Sequence, residues 1–309
     1  MTLLRSIATV GSITMVSRVL GFVRDILIAA TLGAGMAADV FFVAFKFPNL
    51  FRRLFAEGAF SMAFVPIFAG ILEEEGEAKA KEFAEQAMGV LLGSLLVLVI
   101  VMELAMPWAL RAFAPGFLDD PRKFDLAVEL SRITFPYILL ISLVSLFAGV
   151  LNSFGKFAAA AATPILLNLC LIGAVLFLVP MSESPGHALA WGVFLAGFAQ
   201  FFWLAFYCAQ NGIWFHRPIL ALSDNVRLLL CRALPVALGA GVYQINLLID
   251  TIIASFLPEG SISYLFFADR VNQLPLGVVG VAVGTALLPL LSRQIRAGDE
   301  AAVQNSQNR

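Results

Sequence analysis

The 309-residue sequence is 60% hydrophobic and 13% charged, with a formal net charge of -1, against roughly 45–50% apolar and about 25% charged residues in soluble domains. With a mean hydropathy of +0.90, such a chain is not an ordinary water-soluble domain, and its balanced charge excludes a nucleic-acid-binding surface. Cys170, Cys208 and Cys231 are odd in number, far apart and set in apolar stretches, so they read as free core thiols, with neither metal nor disulfide implied.

Breaking the chain at polar and Pro/Gly clusters gives about eight long helices, over residues 6–31, 36–71, 83–112, 126–153, 158–180, 187–210, 225–256 and 263–293. Each is long enough to cross a hydrocarbon core of about 30 Å. Helices in a bundle follow, because an open sheet would leave backbone groups unpaired in lipid. The first segment is interrupted by Arg18 and Arg24, unlike the clean apolar run of a signal peptide, and is expected to stay as the first helix. Pro48 is expected to kink the second. Short connections make successive helices antiparallel neighbours.

Lysine and arginine sort to one side of this arrangement. Arg5, Lys79, Lys81, Lys156, Arg217, Arg227, Arg232, Arg293, Arg296 and Arg309 share a side, with Arg111, Arg122 and Lys123 opposite. The rich side is cytoplasmic, so the N-terminus is expected there.

Laying Asp250 on Asp25 reveals an internal repeat. Residues 25–32 (DILIAATL) match 250–257 (DTIIASFL), Gly35 falls on Gly260, and Phe41 and Phe42 fall on Phe266 and Phe267. Lys46 and Arg270 nearly coincide, one residue out of step. Six helices separate the copies, which gives them the same direction, as in two-lobed transporters with parallel repeats. The expected division is an N-terminal lobe over 1–222, the first two helices of a second lobe over 223–297, and a cytoplasmic tail over 298–309. Either the chain is a fragment of a protein of about 12 to 14 helices or it is a truncated product.

Ionisable groups at bilayer depth cost about 2.5–3.5 kcal/mol each on insertion scales, so they line a wet cavity or pair with one another. Here they concentrate in the repeated helices. The cations are Arg18, Arg24, Lys46, Arg52, Arg53 and Arg270, and the acids Asp25, Asp39, Glu57, Asp250 and Asp269. Five of the six cations are arginine, whose planar fork binds phosphate bidentately and keeps its charge. A phosphate or pyrophosphate head group is the ligand that suits them. The competing reading is that each arginine pairs with a carboxylate or snorkels, strongest for Arg53 with Glu57 and for Arg132 with Glu129. Asp25, Asp250 and Asp269 are candidates for coupling to an ion, sodium or a proton. Gly11, Gly21, Gly239 and Gly241 read as close helix contacts. His187 and His216, both near connections, default to surface residues. Neither a P-loop nor a dinucleotide fingerprint is present, so no cofactor is expected.

Residues 17–25 (SRVLGFVRD) and 38–60 (ADVFFVAFKFPNLFRRLFAEGAF), with Phe135-Pro136-Tyr137, Leu151-Asn152-Ser153, Ala268-Asp269-Arg270 and Pro275-Leu276-Gly277, carry a family pattern. The chain resembles the bacterial lipid II flippases MurJ (MviN) of the multidrug/oligosaccharidyl-lipid/polysaccharide exporter superfamily. The resemblance implies an all-α bundle of two lobes around a cationic cavity in the bacterial inner membrane. It implies movement of lipid II, an undecaprenyl-pyrophosphate-linked precursor, between leaflets by alternating access for peptidoglycan synthesis, with membrane lipids and cell-wall synthesis enzymes as partners. By resemblance the cavity arginines are Arg18, Arg24, Arg52 and Arg270 and the cavity acids Asp39 and Glu57. Two alternatives stay open: a cation-coupled multidrug or polysaccharide-lipid exporter of the same architecture, and a truncated scaffold that does not transport.

Overall fold

The computed structural model describes residues 3–53, 60–213, 215 and 217–272. The chain divides into two compact units, Met1–Ser263 and Tyr264–Arg309. Regular structure among the described residues is helical throughout: α1 (Leu3–Leu32), α2 (Met36–Phe51), α3 (Ser61–Glu74), α4 (Glu77–Phe113), α5 (Pro121–Thr134), α6 (Tyr137–Ser153), α7 (Phe157–Gly173), α8 (Pro185–Gln210) and α9 (Asp224–Ser255). A tenth helix, α10, covers residues 261–272. Glu57, His216, the 275–277 motif, Arg293, Arg296, Arg309 and the expected tail lie outside the described residues, as does any pairing of Arg53 with Glu57.

Among the described residues four helical stretches are long and apolar enough to cross a membrane: Glu77–Phe113, Pro121–Ser153, Phe157–Met181 and Pro185–Gln210. The two arms of α9, Asp224–Gly239 and Gln244–Ser255, meet at 45° and make a fifth if they form one span. Pro235 lies in its first arm, and proline inside a helix is a regular cause of bending. α1 has the length of a span but carries Arg18, Arg24 and Asp25. The segment expected over 36–71 contains α2 and α3, with residues 54–59 between them outside the described residues, and that over 126–153 is interrupted between α5 and α6.

Both segments contain a proline that alters the helical ladder. Pro48 has no N–H for the carbonyl of Ala44, and the hydroxyl of Thr134 on α5 donates to that oxygen instead at 2.8 Å. Beyond it the backbone widens to π-type turns at Arg52 and Arg53. Between α5 and α6, Pro136 interrupts the helical ladder, and tight bonds from Ile138 to Phe135 and from Leu139 to Pro136 carry the chain across.

α2 lies at the centre of the first unit, packed on α5, α6 and α8. Ala38 through Phe45, with Phe47 and Pro48, are buried. Phe47 meets the rings of Phe113 at 4.9 Å and Phe135 at 5.4 Å. Between helices in lipid the apolar surface gains little by leaving its solvent, so close packing of this kind must supply the cohesion. α1 lies along α7. Its outward face carries Met15, Val19, Phe22 and Ile26 at helical spacing, all exposed, a surface suited to acyl chains.

Two corners connect α9 to the rest. After α4 the chain turns through a short 3-10 helix, Pro115–Asp119, where the N–H of Gly116 donates to Ser255 Oγ at 3.0 Å. A side chain at Gly116 would meet the Ser255 carbonyl oxygen at 2.1 Å, so only glycine allows this approach. At the opposite end of α9, Ile219 donates to the Glu85 carbonyl at 3.0 Å, and Ser223 Oγ donates to Gln86 on α4. Of the other glycines read as helix contacts, Gly21 touches Asn168, whereas Gly11 and Gly239 face open space.

Candidate functional site

The charged residues of α1 turn away from its lipid-suited face. Arg24 and Asp25 are only 5% and 8% exposed. Arg24 Nε and Nη2 both donate to Asp25 Oδ1, at 2.9 and 2.6 Å. Its Nη1 donates to Asn168 Oδ1 on α7 at 2.8 Å, and Asn168 Nδ2 in turn donates to the Ser17 carbonyl at 2.9 Å. Three of the five N–H donors of a guanidinium are thereby used. One on Nη1 and one on Nη2 remain for an anionic ligand.

Arg18, one face with Asp25 in the helical period, is half-buried and has no hydrogen bond or ion pair with the described residues. Arg52 Nε donates to Asn49 Oδ1 at 2.9 Å, and Asn49 Nδ2 donates to the Phe45 carbonyl at 2.7 Å, so the last turn of α2 orients that guanidinium. Lys46 is half-buried and Arg53 exposed. Asp250 is exposed on α9. In the second unit, Arg270 lies 5.1 Å over the ring of Phe266, with Asp269 beside it and exposed.

Asp39 is 1% exposed and its carboxylate is fully engaged. Oδ2 accepts from Lys123 Nζ at 3.2 Å and from the Gly260 N–H at 2.8 Å. Oδ1 accepts from the N–H and hydroxyl of Ser263, at 3.0 and 2.7 Å. Asp39 thus holds the opening turn of α10, where Gly260 has φ +91, a conformation that glycine adopts without strain. Glu259 Oε1 reciprocates by accepting the N–H of Met36 at the start of α2. Two helix N-termini, both carrying positive partial charge, are in this way bridged by two carboxylates. Lys123 also lies 4.4 Å over Phe117.

Lys123, Glu259, Ser263 and Asn168 were not candidates from sequence. A lone asparagine within the apolar run of α7 was the available signal for Asn168; nothing local marks the other three. Elsewhere pairing differs from expectation. Arg132 donates to the Glu103 carbonyl at 3.2 Å rather than to Glu129, because Glu129 Oε1 lies 3.2 Å from His187 Nε2. His187 is therefore half-buried, with Ser184 Oγ at 2.7 Å from its Nδ1. The three cysteines are free, but Cys231 is exposed on α9 and only Cys208 is fully buried.

The lipid II flippase MurJ family model matches residues 28–309. A probable lipid II flippase MurJ of Rhizobium tropici is 48% identical over 313 aligned residues, covering 100% of this chain and 58% of its own length. The lipid II flippase MurJ of Burkholderia cenocepacia is 40% identical over 300, covering 95% of this chain and 58% of its own length. A solved lipid II flippase MurJ in an inward closed conformation matches with a TM-score of 0.79 at 28% identity, over 93% of this chain and 59% of that one. An inward-facing multidrug resistance MATE family transporter of the MOP superfamily shares the fold, with a TM-score of 0.65 at 15% identity, over 97% of this chain and 68% of that one. The chain spans about 58% of the length of the curated relatives it matches, and over that span it belongs to the lipid II flippase MurJ family.

Proposed function

We propose that the chain carries the N-terminal lobe, and the start of the second, of a flippase that moves lipid II from the cytoplasmic to the periplasmic leaflet of the bacterial inner membrane. Arginines hold its pyrophosphate while the lobes rock between inward- and outward-open states. The carrying observation is Arg24, buried and oriented by Asp25 and Asn168 with two donors left over, on the same helix as an Arg18 without a protein partner among the described residues. The ion pair with Asp25 takes only Nε and one Nη2 hydrogen, and the donors it leaves are what an anion would take. In this reading Arg52 and Arg270 also bind the head group, as do Lys46 and Arg53, with Glu57 balancing their charge.

The bridge from Asp39 and Glu259 to the two helix N-termini closes the periplasmic side in the inward-facing state and must break for release. The N-terminus is cytoplasmic, as the lysine and arginine bias indicates. An anionic head group moving outward is favoured by an inside-negative potential, so no bound cofactor is required. Asp25 is engaged by Arg24, which leaves Asp250, with no hydrogen bond or ion pair among the described residues, as the foremost ion-coupling acid ahead of Asp269. Enzymes that consume lipid II on the periplasmic side are the natural protein partners.

Native mass spectrometry of the purified chain with lipid II tests the reading. Saturable binding that weakens about tenfold in each of Arg18→Ala, Arg24→Ala and Arg270→Ala is expected, since a charge-assisted hydrogen bond contributes about 1.5–3 kcal/mol. Unchanged binding in all three would make the arginines structural. No binding in wild type, with co-purification of cell-wall enzymes, would favour a scaffold.

A further inference from the structure

We infer that Asn168 is a positioning residue for the head-group site, fixing the plane of the Arg24 guanidinium from the neighbouring helix; this rests on the flippase reading above. Arg24 and Asp25 are adjacent on one helix, and their mutual bonds leave the guanidinium free to tilt about the Asp25 oxygen that both Nε and Nη2 share. A third, independent point is needed to fix a plane. Asn168 supplies it: Oδ1 accepts from Nη1 at 2.8 Å.

The amide itself cannot rotate. Its Nδ2 donates to the carbonyl of Ser17, one turn before Gly21 on α1, and Gly21 has no side chain to cover that oxygen. A Cβ at Gly21 would lie 3.5 Å from Asn168 Nδ2, in contact with the amide. The two bonds also fix which end of the amide is oxygen, because Ser17 O can only accept and Nη1 can only donate. Asn168 is 5% exposed, so its amide would be costly to bury without these partners. A guanidinium held at both edges keeps its two remaining donors in a fixed orientation, and fixed donors are what recognition of a phosphate requires. Asn168 therefore acts on the ligand through Arg24, without touching it.

The test is a double-mutant cycle on the full chain, reading lipid II affinity by native mass spectrometry and folding by thermal midpoint. Asn168→Leu keeps the γ-branched shape and removes both bonds; Asn168→Ala serves where the leucine does not fold. Either is expected to weaken binding about tenfold in the wild-type background and less than twofold in Arg24→Ala. The same loss in both backgrounds would mean that Asn168 supports packing only, and would overturn the inference. Full affinity in the Asn168 variants, while Arg24→Ala still weakens binding, would also overturn it and leave the flippase reading intact. Unchanged binding in Arg24→Ala itself would remove both.

Discussion

Asp39 and Glu259 each cap the helix that starts beside the other: Asp39, in the first turn of α2, accepts the N–H groups of Gly260 and Ser263 at the start of α10, while Glu259, just before α10, accepts the N–H of Met36 at the start of α2. At the repeat register Gly35 lies on Gly260, so corresponding helix starts face one another. The carboxylates do not correspond; Asp39 falls on Tyr264 and Glu259 on Ala34. The repeat brings the two positive helix ends together, and unrelated acids neutralise them.

Removing the Asp39 carboxylate leaves the largely buried Lys123 ammonium without its ion-pair partner. Asp39→Ala is expected to destabilise by about 3–5 kcal/mol, the range for breaking a buried pair from one side, measured by denaturant unfolding in detergent. Asp39→Ala with Lys123→Met should recover part of that loss. Glu259→Ala, which removes a helix cap alone, should cost about 1 kcal/mol. Amide hydrogen exchange at Gly260 and Ser263 should quicken in Asp39→Ala and not in Lys123→Met.

Arg24→Lys should bind lipid II no better than Arg24→Ala. A lysine ammonium cannot span Asp25 and Asn168 and still present a planar pair of donors. Titration by native mass spectrometry checks this; recovery of wild-type affinity by lysine would mean that charge alone suffices.

Gly116→Ala should lower the thermal midpoint, because its Cβ would fall 2.1 Å from the Ser255 carbonyl and overpacking against backbone costs about 1–3 kcal/mol. Gly11→Ala is the control. It meets nothing within 4 Å and should leave stability unchanged or raise it by no more than about 1 kcal/mol through helix propensity.

Asp250→Asn should leave lipid II affinity unchanged and abolish any dependence of flipping in proteoliposomes on an imposed sodium or proton gradient. A dependence that survives would move the coupling site to Asp269 or Asp25.

The sequence by itself determined the membrane solvent, the helical class and the family. Each depends on composition or on a local period: an apolar run long enough to span, arginines inside it, and a signature around Arg18, Asp39 and Pro48. The lost backbone donors at Pro48 and Pro136 were legible, because proline lacks an N–H wherever it stands. Tertiary structure decided which charges are paired. Asp39 and Glu57 look alike in the sequence, as acids on one apolar segment, yet Asp39 is saturated by Lys123, Gly260 and Ser263 from more than 80 positions away. Arg132 and Glu129 have ideal helical spacing, yet each turns to a different neighbour. Asn168 looked inert because it carries no charge; only the packing of α7 on α1 brings its amide to Arg24. Side-chain pairing in a bundle is set by which helices touch and at what height, and neither is encoded in the spacing along a single helix.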